Sequence, residues 1–492
     1  MKLLFPRWMR STHDYVIPQY PMKISNSERL YGKHSAARDL EITTLSISKV
    51  CVLSFTCSFS LMTFLYSLTS IITTLLFILA DVLLLADVFE AFREVSLSNY
   101  DLDPAHYVSS PQLSWDAMLH MTGCELELIC DKAMYSMIDD GLRGGVWMIS
   151  QRYAKANNKY MGDCYNPSEP SSYIMYLDAN NLYGWAMSQP MPEREFKWVD
   201  EEEFSKIDWT QQTADQPIGY FVECDLDYPA AMHDKHNDYP LAPEKFTVDF
   251  NCLSETQVSI RRNYSMSQSG SNVKLVPNLL PKKNYTVHSL NLKFYLEHGM
   301  LISKIHRVIS FRQSRWLAPY IKKNQDLRAA ARSEFEKDFF KLMNNAVYGK
   351  TCENMKKRTD IQLLTDEDKA KKLAEKPNCL GFKIFSENLV GVNMRKVKVV
   401  INKPFYVGFA VLELSKLHMY DFHYNYMVPK YGAKAQLLFT DTDSLMYLLE
   451  TEDAYLDIFN DRHLFDLASY PKSSPFFDAT NNKVTYLESV CR

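Results

Sequence analysis

Two acidic sites and one basic segment carry the residue types that phosphate chemistry needs. Asp178 closes a short apolar run at 172–177, and Asp441 and Asp443 flank Thr442 far downstream. Carboxylates converging from different strands can hold two divalent cations about 3.5–4 Å apart, a pair that stabilises both attacking and leaving oxygens in nucleotidyl transfer. An Asp-x-Asp turn alone is a weak signal, because acidic turns are common on surfaces. The basic segment strengthens it. Lys337, Lys341 and Asn345 stand at i, i+4 and i+8, with Tyr348 and Gly349 just beyond, so a helix would present all three on one face. Two ammonium groups in line can neutralise a triphosphate, and Asn345 and Tyr348 can reach base and sugar. Gly349 either admits a close approach or ends the helix. The plainer reading, a solvated amphipathic helix, suits Lys337 alone. It fits Lys341 poorly, because Phe339, Phe340, Leu342 and Met343 surround that lysine with apolar neighbours.

These residues need elements to bring them together. The run 172–177 reads as a strand ending at Asp178, and 179–187 can turn into a helix. The stretch 319–348 has helical spacing, with no Pro or Gly between Tyr320 and Tyr348. Residues 436–440 and 445–449 read as two apolar strands joined by the acidic turn, a β-hairpin.

The composition sets bounds on the whole. Of 492 residues, 46% are hydrophobic and 23% charged, a balance that fits a folded globular protein and excludes a disordered or collagen-like one. The formal net charge of −4 argues at first sight against a nucleic-acid partner. That total hides a segregation: from Arg261 to Lys350 there are 17 Lys/Arg against five acids, a block of +12. Interleaved with Tyr285, Phe294, Tyr295, Phe311, Trp316 and Tyr320, it suits a phosphate backbone with stacked bases, or else a solvated helical face. Ten cysteines without a C-x2-C pair speak against finger-type zinc and against a disulfide framework, so a reducing compartment, nucleus or cytoplasm, is the default. Residues 51–80 hold no charged residue, enough to span a bilayer. Three readings stay open for that run: a membrane anchor, a buried helix, or an insert of translated non-coding sequence. An anchor would send the rest of the chain away from the side where nucleotides are found, so a membrane partner is not expected.

In this order, three motifs resemble those of family B DNA polymerases. Asp178-Ala-Asn-Asn-Leu-Tyr183-Gly resembles motif A (D-x2-S-L-Y-P), Lys341 to Gly349 resembles motif B (K-x3-N-S-x-Y-G), and Asp441-Thr-Asp443-Ser444 resembles motif C (D-T-D-S). The phrases HNDYPLAPEK (236–245), FEKDFFKLMNNAVYGKTCEN (335–354) and MYDFHYNYM (419–427) resemble the protein-primed branch, in its Polinton/Maverick-type mobile-element or virus-like form. The resemblance implies an α/β (α+β) right-hand polymerase with palm, helical fingers and insertions. It implies Mg²⁺ as two ions, with Mn²⁺ as a substitute, held by Asp178 and Asp443 with Asp441 in support. Its partners would be template and primer DNA, dNTPs and a terminal priming protein. Tyr183 would lie under the incoming sugar and exclude a 2′-hydroxyl, Lys341 and Lys337 would bind the triphosphate, and Asn345 and Tyr348 would line the nucleotide pocket. Leu142-Arg143-Gly144-Gly145 resembles the Y-x-G-G loop that tracks template strand, with Leu in place of Tyr. Arg152, Tyr153 and Lys155 share that DNA-binding reading, as do Gly349 and Ser444.

The implied organisation is a segment of unclear origin at 1–50, the apolar run at 51–80, and an exonuclease remnant and linker at 81–165. Palm with motif A follows at 166–227, an insertion at 228–300 and fingers at 301–350. A second insertion with palm occupies 351–430, the motif C hairpin 431–450 and a truncated thumb 451–492. Asp81 resembles the aspartate of a third exonuclease motif and Asp39-Leu-Glu41 that of a first, but no Asp lies between Glu41 and Asp81, so proofreading is expected to be absent. The expected activity is template-directed DNA synthesis in mobile-element or viral-type replication. The competing expectation is a catalytically inert remnant that binds DNA.

Overall fold

A computed structural model describes residues 59–248, 252–264, 273–396, 398–482 and 488–491. Of 59–77 and 488–491 it gives the backbone alone. The segment 1–50, with Asp39 and Glu41, and the start of the apolar run lie outside the described residues.

The chain divides into two compact units. In the smaller, one helix α1 runs from Phe59 to Tyr100. Asp81 is therefore helical. Arg93 closes the far end of α1 by pairing with Glu90 at 2.9 Å and with Asp103, beyond the helix, at 2.7 Å. Among the described residues no helix is long and apolar enough to cross a membrane.

In chain order the larger unit contains α2 (Ser110–Thr122), α3 (Lys132–Gly141), β1 (Trp147–Ile149), β2 (Ser172–Ala179) and α4 (Leu182–Met187). Next come β3 (Met191–Val199), β4 (Ile218–Asp227), β5 (Glu244–Thr247), β6 (Val273–Val276), β7 (Lys282–His288), α5 (Ser289–Glu297) and β8 (Leu301–Ser314). Helices α6 (Ala318–Ala330) and α7 (Glu334–Thr351) follow, then β9 (Asp360–Leu364), α8 (Glu367–Ala374), β10 (Cys379–Ser386), β11 (Leu389–Met394) and α9 (Phe405–Asp421). The chain closes with β12 (Ala435–Asp441), β13 (Ser444–Glu450), α10 (Ala454–Asn460), β14 (Phe465–Asp466) and β15 (Glu488–Cys491).

The central sheet has the order β1-β12-β13-β2-β15-β14. Its inward face follows the period-2 alternation of strands: Tyr173, Met175 and Leu177 of β2 are buried beside Leu449, Tyr447 and Leu445 of β13, their register partners. That alternation turns Asp178 to the opposite face at the end of β2. The hairpin expected at 436–449 is β12 and β13. Strands β14 and β15 belong to the same sheet, so part of 451–492, read from sequence as thumb, completes this layer.

A second sheet, β3-β8-β4-β7, is held together by the 14-residue β8. The segment 301–350, expected as helical fingers, thus opens with a strand, and its helices begin at Ala318. The helical stretch expected at 319–348 is two helices. The Ser333 side chain caps α7 by accepting from Glu336 N, and the Glu336 carboxylate accepts from Arg332 N at 2.7 Å, so the chain breaks without Pro or Gly. Helix α6 then packs against α7, pinned by Asn324 Nδ2 donating to Asn344 Oδ1 at 2.8 Å and Tyr320 donating to Met343 O at 3.2 Å, all buried. A small three-stranded sheet, β10-β11-β9, packs on α8.

Candidate active site

Asp178 and Asp443 meet where two strands end. Ser444 is the register partner of Asp178, and Ala179 N donates to Asp443 O at 2.7 Å. Each carboxylate sits at a tight turn. After Asp178 the chain reverses through Asn181, whose backbone is left-handed (φ 53°). Gly184 leaves the space that the Asn181 side chain fills; a Cβ there would overlap it. After Asp441 the hairpin turns on Thr442 at φ 61°, closed by Asp443 N donating to Asp441 O at 2.7 Å. A third segment braces this turn. Thr442 N donates to Val146 O at 2.8 Å, and Gly145 lies so close that a Cβ would collide with the Thr442 side chain.

A cleft of about 190 Å³ opens over these turns. Asp178, Asn180, Tyr183 and Asp443 line it together with Lys341, Asn345 and Arg328 from the α6–α7 hairpin. Burial raises the Asp178 carboxyl to about 6, the Asp443 charge adds to the rise, and Lys341 opposes it. Asp443 is raised as well, by burial first and by the Asp441 charge, with its own backbone N–H and Lys341 opposing. Two half-buried carboxylates that resist ionisation are the donor set that a divalent cation relieves. Mg²⁺ is commonly held by one or two carboxylates and completed by substrate phosphate oxygens, so the pair fits that group. Asp441 stands at the exposed end of β12, opposite Trp147. Among the described residues no group of three or more His, Cys, Asp or Glu side chains converges as a metal cage. Behind the cleft, the Tyr183 and Tyr348 rings contact each other at 4.6 Å between centroids. Burial raises the Tyr183 hydroxyl, and its charge-sensitive neighbours include Asp443.

The cleft therefore gathers Asp178, Asp443, Tyr183, Lys341 and Asn345, with Tyr348 against Tyr183. Other expectations drawn from the sequence need correction. Lys337 lies outside the cleft lining and pairs with Glu334 at 2.6 Å. Arg143 cannot track a DNA backbone: it is buried, stacks on the Tyr285 ring at 3.7 Å and donates to Thr286 O at 2.7 Å and Gly141 O at 3.1 Å. Ser444 is buried and donates to Asp441 O at 3.3 Å. Gly145 is explained by the Thr442 contact, whereas Gly144, Arg152, Tyr153 and Lys155 are exposed. Gly349 does not end α7, which continues to Thr351, and a Cβ there would have nothing within 4 Å, so the space over it is open. Tyr285, Phe294, Tyr295, Phe311 and Tyr320, read as stacking residues, are core.

Sequence reading missed Arg328. Its Nε is buried without a hydrogen-bond partner at the cleft wall. The one available signal was the S-x-x-E cap at Ser333, which breaks the helix and folds Arg328 back beside Lys341.

A family described as DNA polymerase type B, organellar and viral, matches residues 69–427. Solved structures with similarity to the chain include Phi29 DNA polymerase in complex with primer-template DNA (13% identity, TM-score 0.42, 72% of this chain and 50% of that one). The same polymerase in an orthorhombic crystal form gives 12% identity and TM-score 0.45, over 78% of this chain and 52% of that one. Its ternary complex with incoming nucleotide gives 15% and 0.41, over 73% and 51%. The chain spans about half the length of these structures. No curated protein matches the sequence.

Proposed function

The chain belongs to the organellar and viral type B DNA polymerases, and from that premise we propose that it transfers dNMP from a dNTP to a primer 3′-hydroxyl under template direction. The observation that carries this reading is the gathering of Asp178 and Asp443 with Lys341, Asn345 and Arg328 in the lining of one cleft, where the Lys341 charge acts on both carboxyls. The two carboxylates would hold Mg²⁺, which when bound would supply Lewis-acid activation of the attacking hydroxyl and charge stabilisation on the leaving pyrophosphate. Lys341 and Arg328 draw the triphosphate into the cleft, and their charges offset the negative charge that grows on its oxygens. Asn345 holds the nucleotide laterally. Tyr183, packed on Tyr348, forms the floor under the sugar and leaves no room for a 2′-hydroxyl. Protein priming, with a hydroxyl of a priming protein as first acceptor, and a mobile-element or viral setting, belong to the same proposal; the motif phrases at 236–245 and 335–354 support them. Residues 228–300 and 351–430 are the insertions of that branch in this reading.

Primer extension by the purified chain on a DNA template with Mg²⁺ tests the proposal. The parent incorporates dNMP and Asp443→Asn does not. Salt-dependent DNA binding by a parent that incorporates nothing would instead identify an inert DNA-binding remnant.

A further inference from the structure

A buried acid outside the Asp178–Asp443 pair reaches the cleft through one side chain. Asp466, on β14, is 4% exposed. Its Oδ2 accepts from Asn180 Nδ2 at 3.0 Å, and its Oδ1 accepts from Ala468 N at 3.0 Å. Asn180 lines the cleft two residues after Asp178. Strand β14 stands next to β15, and β15 next to β2: Asp466 faces Ser489, and Ser489 faces Asp178. The acid is thus anchored in the same sheet that carries the carboxylate pair.

We propose that Asp466 is a positioning residue for the nucleotide, acting through the Asn180 carboxamide. This rests on the polymerase reading of the cleft. A carboxylate only accepts hydrogen bonds, so Asp466 fixes which way the Asn180 amide lies: nitrogen toward Asp466, carbonyl oxygen away from it. The amide then offers the cleft an acceptor in one fixed orientation. Its ligand is a donor on the bound deoxynucleoside triphosphate, a sugar hydroxyl or a base amino group, or a water carried in with its cation. Asparagine at 466 can donate as well as accept, and it releases that constraint without changing shape.

The test combines dNTP titrations of primer extension with equilibrium dNTP binding in Ca²⁺, which needs no turnover. Asp466→Asn raises the dNTP KM and the dissociation constant about tenfold and leaves kcat within about twofold. Asn180→Ala raises the same constants, and adding Asp466→Asn to it changes nothing more. The inference is overturned if Asn180→Ala leaves nucleotide binding unchanged. Equal effects of Asp466→Asn in both backgrounds, or a lower melting temperature with unchanged KM, overturn it too. A parent that fails to extend primers sinks the polymerase reading instead, and the Ca²⁺ binding comparison still decides the role of Asp466.

Discussion

Asp178 and Asp443 are held where neither ionises easily. Burial and like charge lift both carboxyls, so the ionised pair destabilises the metal-free fold at neutral pH. Asp178→Asn removes one of the charges and keeps the shape. The metal-free variant should melt about 2 °C above the parent, while primer extension disappears. Millimolar Mg²⁺ should raise the melting temperature of the parent and not of the variant, because a ligand stabilises only the state that binds it. A variant that melts below the parent and keeps its Mg²⁺ response would show that Asp178 is an ordinary structural acid. Asp178 was legible in the sequence because it ends an apolar run, and the alternation of β2 then fixes the face on which it lies; Asp443 was legible as part of an acidic turn between two such runs. Arg328 was not legible. On one continuous helix it would stand about 20 Å from Lys341, 13 residues at 1.5 Å each; only the break after α6 makes the two neighbours. Arg328→Ala should raise the dNTP KM about tenfold, measured beside Lys341→Ala, and leave DNA affinity within about twofold.

At the scale of elements, the acidic hairpin depends on the segment that precedes β1. Thr442 sits at positive φ, and Gly145 leaves just the room its side chain needs. Gly145→Ala should cut kcat about tenfold or more by pushing the turn that carries Asp443, with little change in melting temperature. Thr442→Gly, which removes the clashing atoms and suits φ 61°, should restore it in the double variant. Additive losses in the double variant would separate Gly145 from the turn. Its neighbour Arg143 acts differently. The guanidinium is a buried pillar on Tyr285, and Lys416, itself buried, donates to Arg143 O at 3.2 Å beside Glu413. Arg143→Met should destabilise the fold by about 2–4 kcal/mol. The slope of log affinity for DNA against log salt should stay unchanged, whereas loss of a phosphate contact would reduce it by about 1. Motif spelling placed Arg143 near DNA; a relative exposure of 7% places it in the core. Sequence shows that a basic residue occupies the loop, but which way its side chain turns depends on Tyr285 and Thr286, far along the chain on β7.

At the scale of the whole molecule, part of the +12 block between Arg261 and Lys350 is paired with acids from elsewhere in the chain. Lys282 pairs with Glu244, Lys283 with Asp225, Arg307 with Glu223, Arg312 with Glu195 and Arg315 with Asp215, at 2.7–3.4 Å. The acids come from outside the block, chiefly from β3, β4 and β5. These pairs offset five of the block's twelve excess positive charges, so charge summed over a sequence window overstates what that segment leaves unpaired. The core also carries a pH dependence that composition could not show. Three histidines are buried as neutral rings: burial lowers His236 and His288 to about 4 and His423 to about 3. His236 Nδ1 is 2.8 Å from the Tyr228 hydroxyl, and His423 Nδ1 2.9 Å from that of Tyr447. The charges of His298, Lys235 and His233 lower His236 further. In the unfolded chain a histidine takes up its proton near about pH 6.5. Between there and about pH 4 the unfolded state therefore binds more protons than the folded one, and stability falls as the pH falls. The window is separate from that of the paired carboxylates. Asp225 and Asp453 are held below their ordinary values by their partners, so their contribution is present above about pH 4 and is lost only below it. Each buried ring can contribute up to about 1.4 kcal/mol per pH unit. Asp178 and Asp443 work in the opposite sense over the same range, because their raised carboxyls gain protons in the fold, so the three rings are separated from them by a variant. His236→Gln should make the urea midpoint fall less, or rise more, from pH 7 to pH 5 than it does in the parent, at constant ionic strength, while lowering the midpoint at pH 7. The same pH slope in parent and variant would mean that the His236 ring protonates as readily in the fold as in the open chain.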